Sequence, residues 1–169
     1  MTVAIRAAAP ADVPIILRFV KDLAAYEREP DAVKTTEADL QRVLFGARPY
    51  AEAIIAEEAA TPLGFALFFH NFSTWEGRPG IYLEDLYVTP EARGKGVGKA
   101  LLNRLAAIAI ERDCARLEWS VLDWNAPAIA FYRSIGAASM DEWTVNRVTG
   151  EALTAMAKAQ KKSQNVPSS

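Results

Sequence analysis

The stretch "IYLEDLYVTPEARGKGVGKALL" (81–102) constrains this chain more than any other. An apolar run stops at Thr89-Pro90, three glycines follow, and a helical apolar pattern begins. Strand, glycine-rich turn and helix in that order are the first two thirds of a βαβ unit, which "RLEWSVL" (116–122) completes by its alternation. Parallel strands need such a crossover, so the chain folds as an α/β sheet with helices on its faces. Gly94, Gly96 and Gly98 let the backbone turn tightly, and the helix N-terminus behind them adds partial positive charge. The turn is a cradle for an anion, beyond the carboxyl end of a strand, where open α/β sheets place ligands. It is neither of two familiar phosphate loops. A Walker sequence would require glycine at Arg93 and Ser or Thr at Ala100. A dinucleotide fingerprint meets Lys99 or Leu101 where its third glycine belongs.

Elsewhere the periodicities predict a strand at 3–8, helices at 12–27 and 35–46, and a hairpin of "YAEAIIAEE" and "PLGFALFFH" joined by "AATP". Asp12 stands near the start of the first helix; Thr36 and Asp39 stand at the entrance of the second, and Gly46 ends it. "NFSTWEGRPG" (71–80) reads as a loop from its Asn, Ser, Gly and Pro content. The glycine helix runs from Gly96 to Arg112 with Val97, Leu101, Leu105 and Ile108 on its apolar face. A short helix is expected over 125–137, with Pro127 in its first turn, and a last strand at "EWTVNRV" (142–148). The expected organisation is one domain over 1–158 and a polar, disordered tail over 159–169.

Composition removes several functions. A net charge of −2 over 169 residues argues against binding nucleic acid through a broad basic face. A single histidine and a single cysteine make a His/Cys zinc site untenable. Cys114 has no partner for an internal disulfide and reads as a buried apolar residue, which with no leader or membrane span points to the cytoplasm.

Two acids interrupt the apolar strand. Strict alternation puts Glu84 with Tyr82, Leu86 and Val88, and Asp85 with Ile81, Leu83 and Tyr87. A carboxylate in a covered strand is costly unless paired, and burial raises its pKa toward that of a useful base. Glu84 is therefore a functional candidate, against the alternatives of an edge strand with both acids solvated or of an acid pairing with an arginine. In "DWNAPAIAFYRSIGA", Asn125 reads as a helix cap and Tyr132 as a residue two turns on, by itself ordinary core.

Taken together, "LEDLYVTPEARGKGVGKALL" and "DWNAPAIAFYRSIGA" resemble the GNAT superfamily of acyl-coenzyme-A-dependent N-acyltransferases, whose Arg/Gln-x-x-Gly-x-Gly/Ala signature is matched by Arg93, Gly96 and Gly98. "LAAYE" (23–27), "NFSTWEGRPGIYLEDLYV" (71–88) and "LDWN" (122–125) look like the branch of diamine and polyamine (spermidine/spermine) and thialysine N-acetyltransferases. The resemblance covers residues 3–157. It implies a mixed, mostly antiparallel sheet with helices on both faces and a central, splayed parallel strand pair. It implies acetyl-CoA as co-substrate and no metal. The pyrophosphate would lie on Arg93, Gly94, Lys95, Gly96, Val97, Gly98 and Lys99, and the pantetheine arm between Leu86, Tyr87 and Val88 on one side and Asn125, Ala126, Pro127 and Ala128 on the other. Glu84 would be the base, and Tyr132, beside the cofactor, the acid that protonates the leaving thiolate. The acceptor positions would be Tyr26, Glu27, Glu84, Glu118, Trp119, Ser120 and Glu142. "YEREP" departs from the family's acid-rich pattern, and Arg28 has two readings: pairing with a neighbouring acid, or binding a substrate carboxylate. Trp75 either walls the acceptor pocket or anchors its loop. The implied partners are a small amine and a second copy of the chain, with strand 64–69 and the last strand offered as the interface. Two other activities remain open at this point: protein-lysine acetylation, or a non-catalytic acyl-CoA-binding regulatory module.

Overall fold

A computed structural model describes residues 3–163. They fall into two compact units, one reaching Asn125 and one starting at Ala126.

The first unit is a five-stranded sheet in the order β1-β2-β3-β4-β5: β1 (Ala4–Ala7), β2 (Glu52–Glu58), β3 (Thr61–Ser73), β4 (Arg78–Val88) and β5 (Leu117–Trp119). All neighbours are antiparallel except β4 and β5. The helices of this unit are α1 (Val13–Tyr26), α2 (Glu37–Phe45) and α3 (Val97–Glu111). Alternation divides the core. Ala53 and Ile55 of β2, Phe65 and Leu67 of β3, and Tyr87 of β4 pack with Val13, Ile16 and Phe19 of α1 and Leu40 and Leu44 of α2. Ile54, Ala56, Ala66 and Phe68 face the other way, the side taken by the buried Val97, Leu101, Leu105 and Ile108 of α3.

Local chemistry sets the boundaries. Asp12 takes two bonds from Arg6 at 2.7 and 2.9 Å and one from the Ala9 N–H at 2.7 Å, tying β1 to the start of α1. Thr36 and Asp39 form a reciprocal capping box on α2, with the Asp39 N–H donating to Thr36 Oγ1 and the Thr36 N–H to Asp39 Oδ2. Gly46 closes α2 because a Cβ there would stand 2.4 Å from the Arg42 carbonyl oxygen.

Several expectations are corrected. Residues 71–80 are not a loop: β3 and β4 pair from Phe72↔Pro79 and Ser73↔Arg78 onward, leaving only a short turn with Trp75 at its tip, 88% exposed. Antiparallel pairing overrides a loop-like composition because cross-strand bonds fix the backbone whatever the side chains. Trp75 therefore stands exposed on a tight turn, with no long loop there for it to anchor. Of strand 64–69, Gly64–Phe68 are buried within β3 and Phe69 is half-buried.

The second unit contains α4 (Ala126–Ser134) and α5 (Gly150–Ser163). No strand forms over 142–148, where Trp143 and Val145 are both exposed and no ladder partner accompanies the alternation. Residues 159–163, read from sequence as the start of a disordered tail, continue α5; 164–169 lie outside the described residues.

Candidate active site

β4 does not alternate as its sequence suggests. Leu67 pairs with Asp85 while the next residue, Phe68, pairs with Leu83, so Glu84 is the extra residue of a β-bulge. Paired residues share a face. Tyr82 (with Phe69), Asp85 (with Leu67) and Tyr87 (with Phe65) point toward α1; Ile81, Leu83, Leu86 and Val88 point toward α3. The sequence grouping of Glu84 with Tyr82, and of Asp85 with Ile81 and Leu83, is corrected by that single inserted residue. Glu84 projects at the bulge and is exposed, whereas Asp85 is half-buried.

The bulge coincides with a parting of strands. β4 and β5 pair only over Ile81↔Leu117, Tyr82↔Glu118 and Leu83↔Trp119, although β4 runs on to Val88. Beyond Leu83 the β5-facing edge of β4 is open. The Thr89 N–H donates to Leu63 O, and every second residue of an antiparallel ladder exchanges both its bonds. Tyr87 and Asp85 therefore spend their backbone groups on β3, and Leu86 and Val88 aim theirs at the open edge. Of the three residues that the sequence reading assigns to the cofactor arm, Leu86 and Val88 present free backbone and Tyr87 presents a ring to α1. Arg93 takes one of those groups, donating from Nε to the Val88 carbonyl at 3.1 Å.

The glycine turn follows directly. Gly94 and Gly96 adopt φ of +73° and +84°, the left-handed region that side chains resist. The amides of Gly94, Lys95, Gly96, Val97, Gly98 and Lys99 donate to no backbone carbonyl among the described residues, as expected of a helix's first turn. Val97 is buried and Gly98 passes Val88, with an added Cβ 3.7 Å from Val88 Cγ2, so α3 is held against the end of β4. A strand edge with open N–H groups thus ends in a ring of unpaired amides.

On the α1 side, a groove of about 480 Å³ is lined by Arg18, Asp22, Tyr26, Tyr87, Glu91 and Arg93, among others. The Arg93 guanidinium lies 5.0 Å from the Tyr26 ring centre and 5.7 Å from that of Tyr87. Tyr26 Oη donates to Asn125 Oδ1 at 3.3 Å, and its ring meets Trp124 at 6.3 Å. The "LDWN" segment is a turn closed by the Asn125 N–H on Leu122 O at 2.8 Å.

Charge gathers beside the bulge. Burial, reinforced by Glu84 and Glu27, pushes the Asp85 carboxyl up to about 6. Partial burial raises Glu27 above the ordinary carboxylate range. The Glu118 Oε2 accepts from Arg116 Nε and from Asn71 Nδ2, both at 2.7 Å. Ser120 Oγ lies 2.8 Å from Tyr82 Oη, and Trp119 ends β5. The first unit thus brings together Tyr26, Glu27, Glu84, Leu86, Val88, Arg93, the cradle, Glu118, Trp119, Ser120 and Asn125. Ala126, Pro127, Ala128 and Tyr132 belong to α4 and Glu142 to the segment after it, all in the second unit, where the Tyr132 ring packs 5.5 Å from Phe131. Sequence reasoning passed over Asp85, Tyr82 and the Arg18–Asp22 wall. The only trace of the first was the pair of adjacent acids at the point where alternation fails.

A strand that parts from its parallel neighbour, a bulge at the parting and an amide cradle beyond it leave a slot for an extended, anion-ended ligand. The model described as Acetyltransferase (GNAT) family matches residues 17–137, and the chain belongs to that family and is an acyltransferase. A thialysine N-epsilon-acetyltransferase of Bos taurus is 38% identical over 166 residues, spanning 92% of this chain and 97% of its own. An L-ornithine N5-acetyltransferase of Arabidopsis thaliana is 31% identical, spanning 91% of this chain and 87% of its own. Among solved structures, an integron cassette protein from the mobile metagenome of V. cholerae superposes with a TM-score of 0.78 at 33% identity, covering 94% of this chain and 99% of that one. No helix among the described residues is long and apolar enough to cross a membrane.

Proposed function

We propose that this chain transfers the acetyl group of acetyl-CoA to the primary amine of a small diamine, polyamine or lysine analogue by direct attack. The observation that carries the reading is the continuity of the open β4 edge with the unpaired amides of Gly94–Lys99. That arrangement fits an extended amide-bearing arm followed by a pyrophosphate, and GNAT enzymes generally use acetyl-CoA. The co-substrate supplies an activated thioester; the chain supplies positioning, a proton acceptor and a proton donor.

The Leu86 or Val88 N–H polarises the thioester carbonyl, as preorganised donors do wherever charge develops. An alkyl ammonium has a pKa of ~10 and must lose a proton before attack. Glu84, exposed at the bulge, accepts that proton directly or through a water. A nitrogen–carbon bond forms, the carbon–sulfur bond breaks, and Tyr132 of α4 is assigned by family likeness to protonate the departing thiolate. Glu27 and Asp85 hold the cationic acceptor near Glu84.

Glu84→Gln tests the base. Its kcat should fall about 100- to 10,000-fold with acetyl-CoA affinity retained, and full activity in that variant overturns the assignment. Tyr132→Phe tests the acid by the same comparison.

A further inference from the structure

We infer that Arg28 is the specificity-determining residue that receives the carboxylate of a diamino-acid acceptor, an assignment that rests on the acetyl transfer proposed above. Arg28 stands among acids, with Glu27, Glu29 and Asp31 around it. It nevertheless forms no ion pair with any carboxylate among the described residues, which disposes of the first of its two sequence readings. Instead its guanidinium lies 4.3 Å from the centre of the Trp124 ring. Trp124 is packed in turn on Tyr26, which is bonded to Asn125. A guanidinium stacked on an aromatic ring spends its π face there and keeps its in-plane N–H groups for a planar, forked acceptor.

The backbone holds this side chain in place. The Glu29 N–H donates to Ala24 O at 2.8 Å and the Arg28 N–H to Ala25 O at 3.1 Å, the paired bonds of a Schellman ending to α1. Arg28 occupies the position where glycine is usual, at φ +68°. Arginine there is strained, and the strain fixes the direction in which its side chain leaves the helix.

Charge then selects the ligand. Glu27 precedes Arg28 and acts on Asp85, which adjoins Glu84. Acids at the bulge, with Glu27 next in the chain to a guanidinium held on Trp124, complement a molecule carrying an ammonium at one end and a carboxylate at the other. A diamine or polyamine of similar length would bring an ammonium toward Arg28 with no carboxylate to offset it, and like charges set against each other are a means of rejection.

The test is the ratio of kcat/KM for L-lysine over cadaverine, two amines that differ only by the carboxylate, in wild type, Arg28→Gly and Arg28→Lys. Glycine suits the left-handed position, so Arg28→Gly removes the side chain without adding strain. Wild type should prefer L-lysine. Arg28→Gly should lower the ratio about 10- to 100-fold, the worth of a charge-assisted pair, and Arg28→Lys should restore part of it. An unchanged ratio overturns the inference. So does an equal loss for every acceptor with a raised KM for acetyl-CoA, which places Arg28 on the co-substrate. If neither amine turns over, the acetyl-transfer reading passes to the wider panel of small amines. Equilibrium binding in the presence of CoA then decides Arg28: L-lysine binding more weakly to Arg28→Gly supports the inference, and equal binding overturns it.

Discussion

Asp85→Asn should stabilise this protein at neutral pH and do little in acid. Asp85 is half-buried on the α1-facing side of β4, and no cation or hydrogen-bond donor among the described residues holds it. Burial first, then Glu84 and Glu27, carry its carboxyl from the ordinary 3.8 to about 6. A carboxyl raised in the folded state resists ionisation there, while the unfolded chain ionises freely. Below about pH 4 both states hold the proton and nothing is lost; as pH rises from about 4 to about 6 the unfolded state gains, and above that the full penalty stands. The displacement corresponds to ~3 kcal/mol, and with partial solvent screening ~1–3 kcal/mol is the expected range. Asparagine keeps the shape and carries no charge. Urea denaturation of wild type and Asp85→Asn at pH 4 and pH 7.5, in ~0.1 M salt, reads the effect directly. The variant should gain ~1–3 kcal/mol at the higher pH relative to the lower. An equal difference at both values refutes the electrostatic reasoning, because packing changes alone do not follow that titration.

Gly96→Ala places a Cβ at φ +84° where no neighbouring atom lies within 4 Å, so strain rather than collision is the cost. Stability should fall by ~1–2 kcal/mol. Calorimetric affinity for acetyl-CoA should fall at least ~10-fold as the amides turn away; unaltered affinity would remove the cradle from the account. Asp12→Asn loses the Arg6 pair at the join of β1 and α1, for ~1.5–3 kcal/mol in urea denaturation at pH 7. The Arg6 guanidinium holds the Asp12 carboxyl below its ordinary range, so this contribution is present above about pH 4 and is lost as pH falls through the lowered value. The gap between variant and wild type should therefore narrow in acid.

The sequence disclosed what depends on near neighbours. The helical stripes of α1 and α3, the Thr36–Asp39 box and the glycine turn after β4 are local patterns, and each stands where its residues put it. Features set by a partner strand were hidden. Whether Phe72 and Ser73 pair with Pro79 and Arg78 is decided by the register of β3 on β4, and their composition points to a loop. The bulge at Glu84 is of the same kind: one residue without a partner reverses the faces of residues 85–88 relative to those of 81–83. Trp143 and Val145 fail from the opposite side, since alternation without a neighbouring strand makes no ladder. Within the site, the glycine turn and the adjacent acids of β4 were legible in the sequence. The raised pKa of Asp85 and the stacking of Arg28 on Trp124 were not, because each depends on segments far apart in the chain.

The central claim is direct acetyl transfer from acetyl-CoA to a small primary amine. Its most direct test is thiol release from acetyl-CoA by the full chain with putrescine, spermidine, spermine, thialysine, L-lysine, an aminoglycoside and a histone-tail peptide, with the acetylated product identified by mass. The account predicts rapid release with one small amine, and the acetyl group on that amine's nitrogen. Tight binding of acetyl-CoA without turnover on any small amine would contradict it and leave a sensor of acyl-CoA; turnover on the peptide alone would move the acceptor from small molecules to proteins.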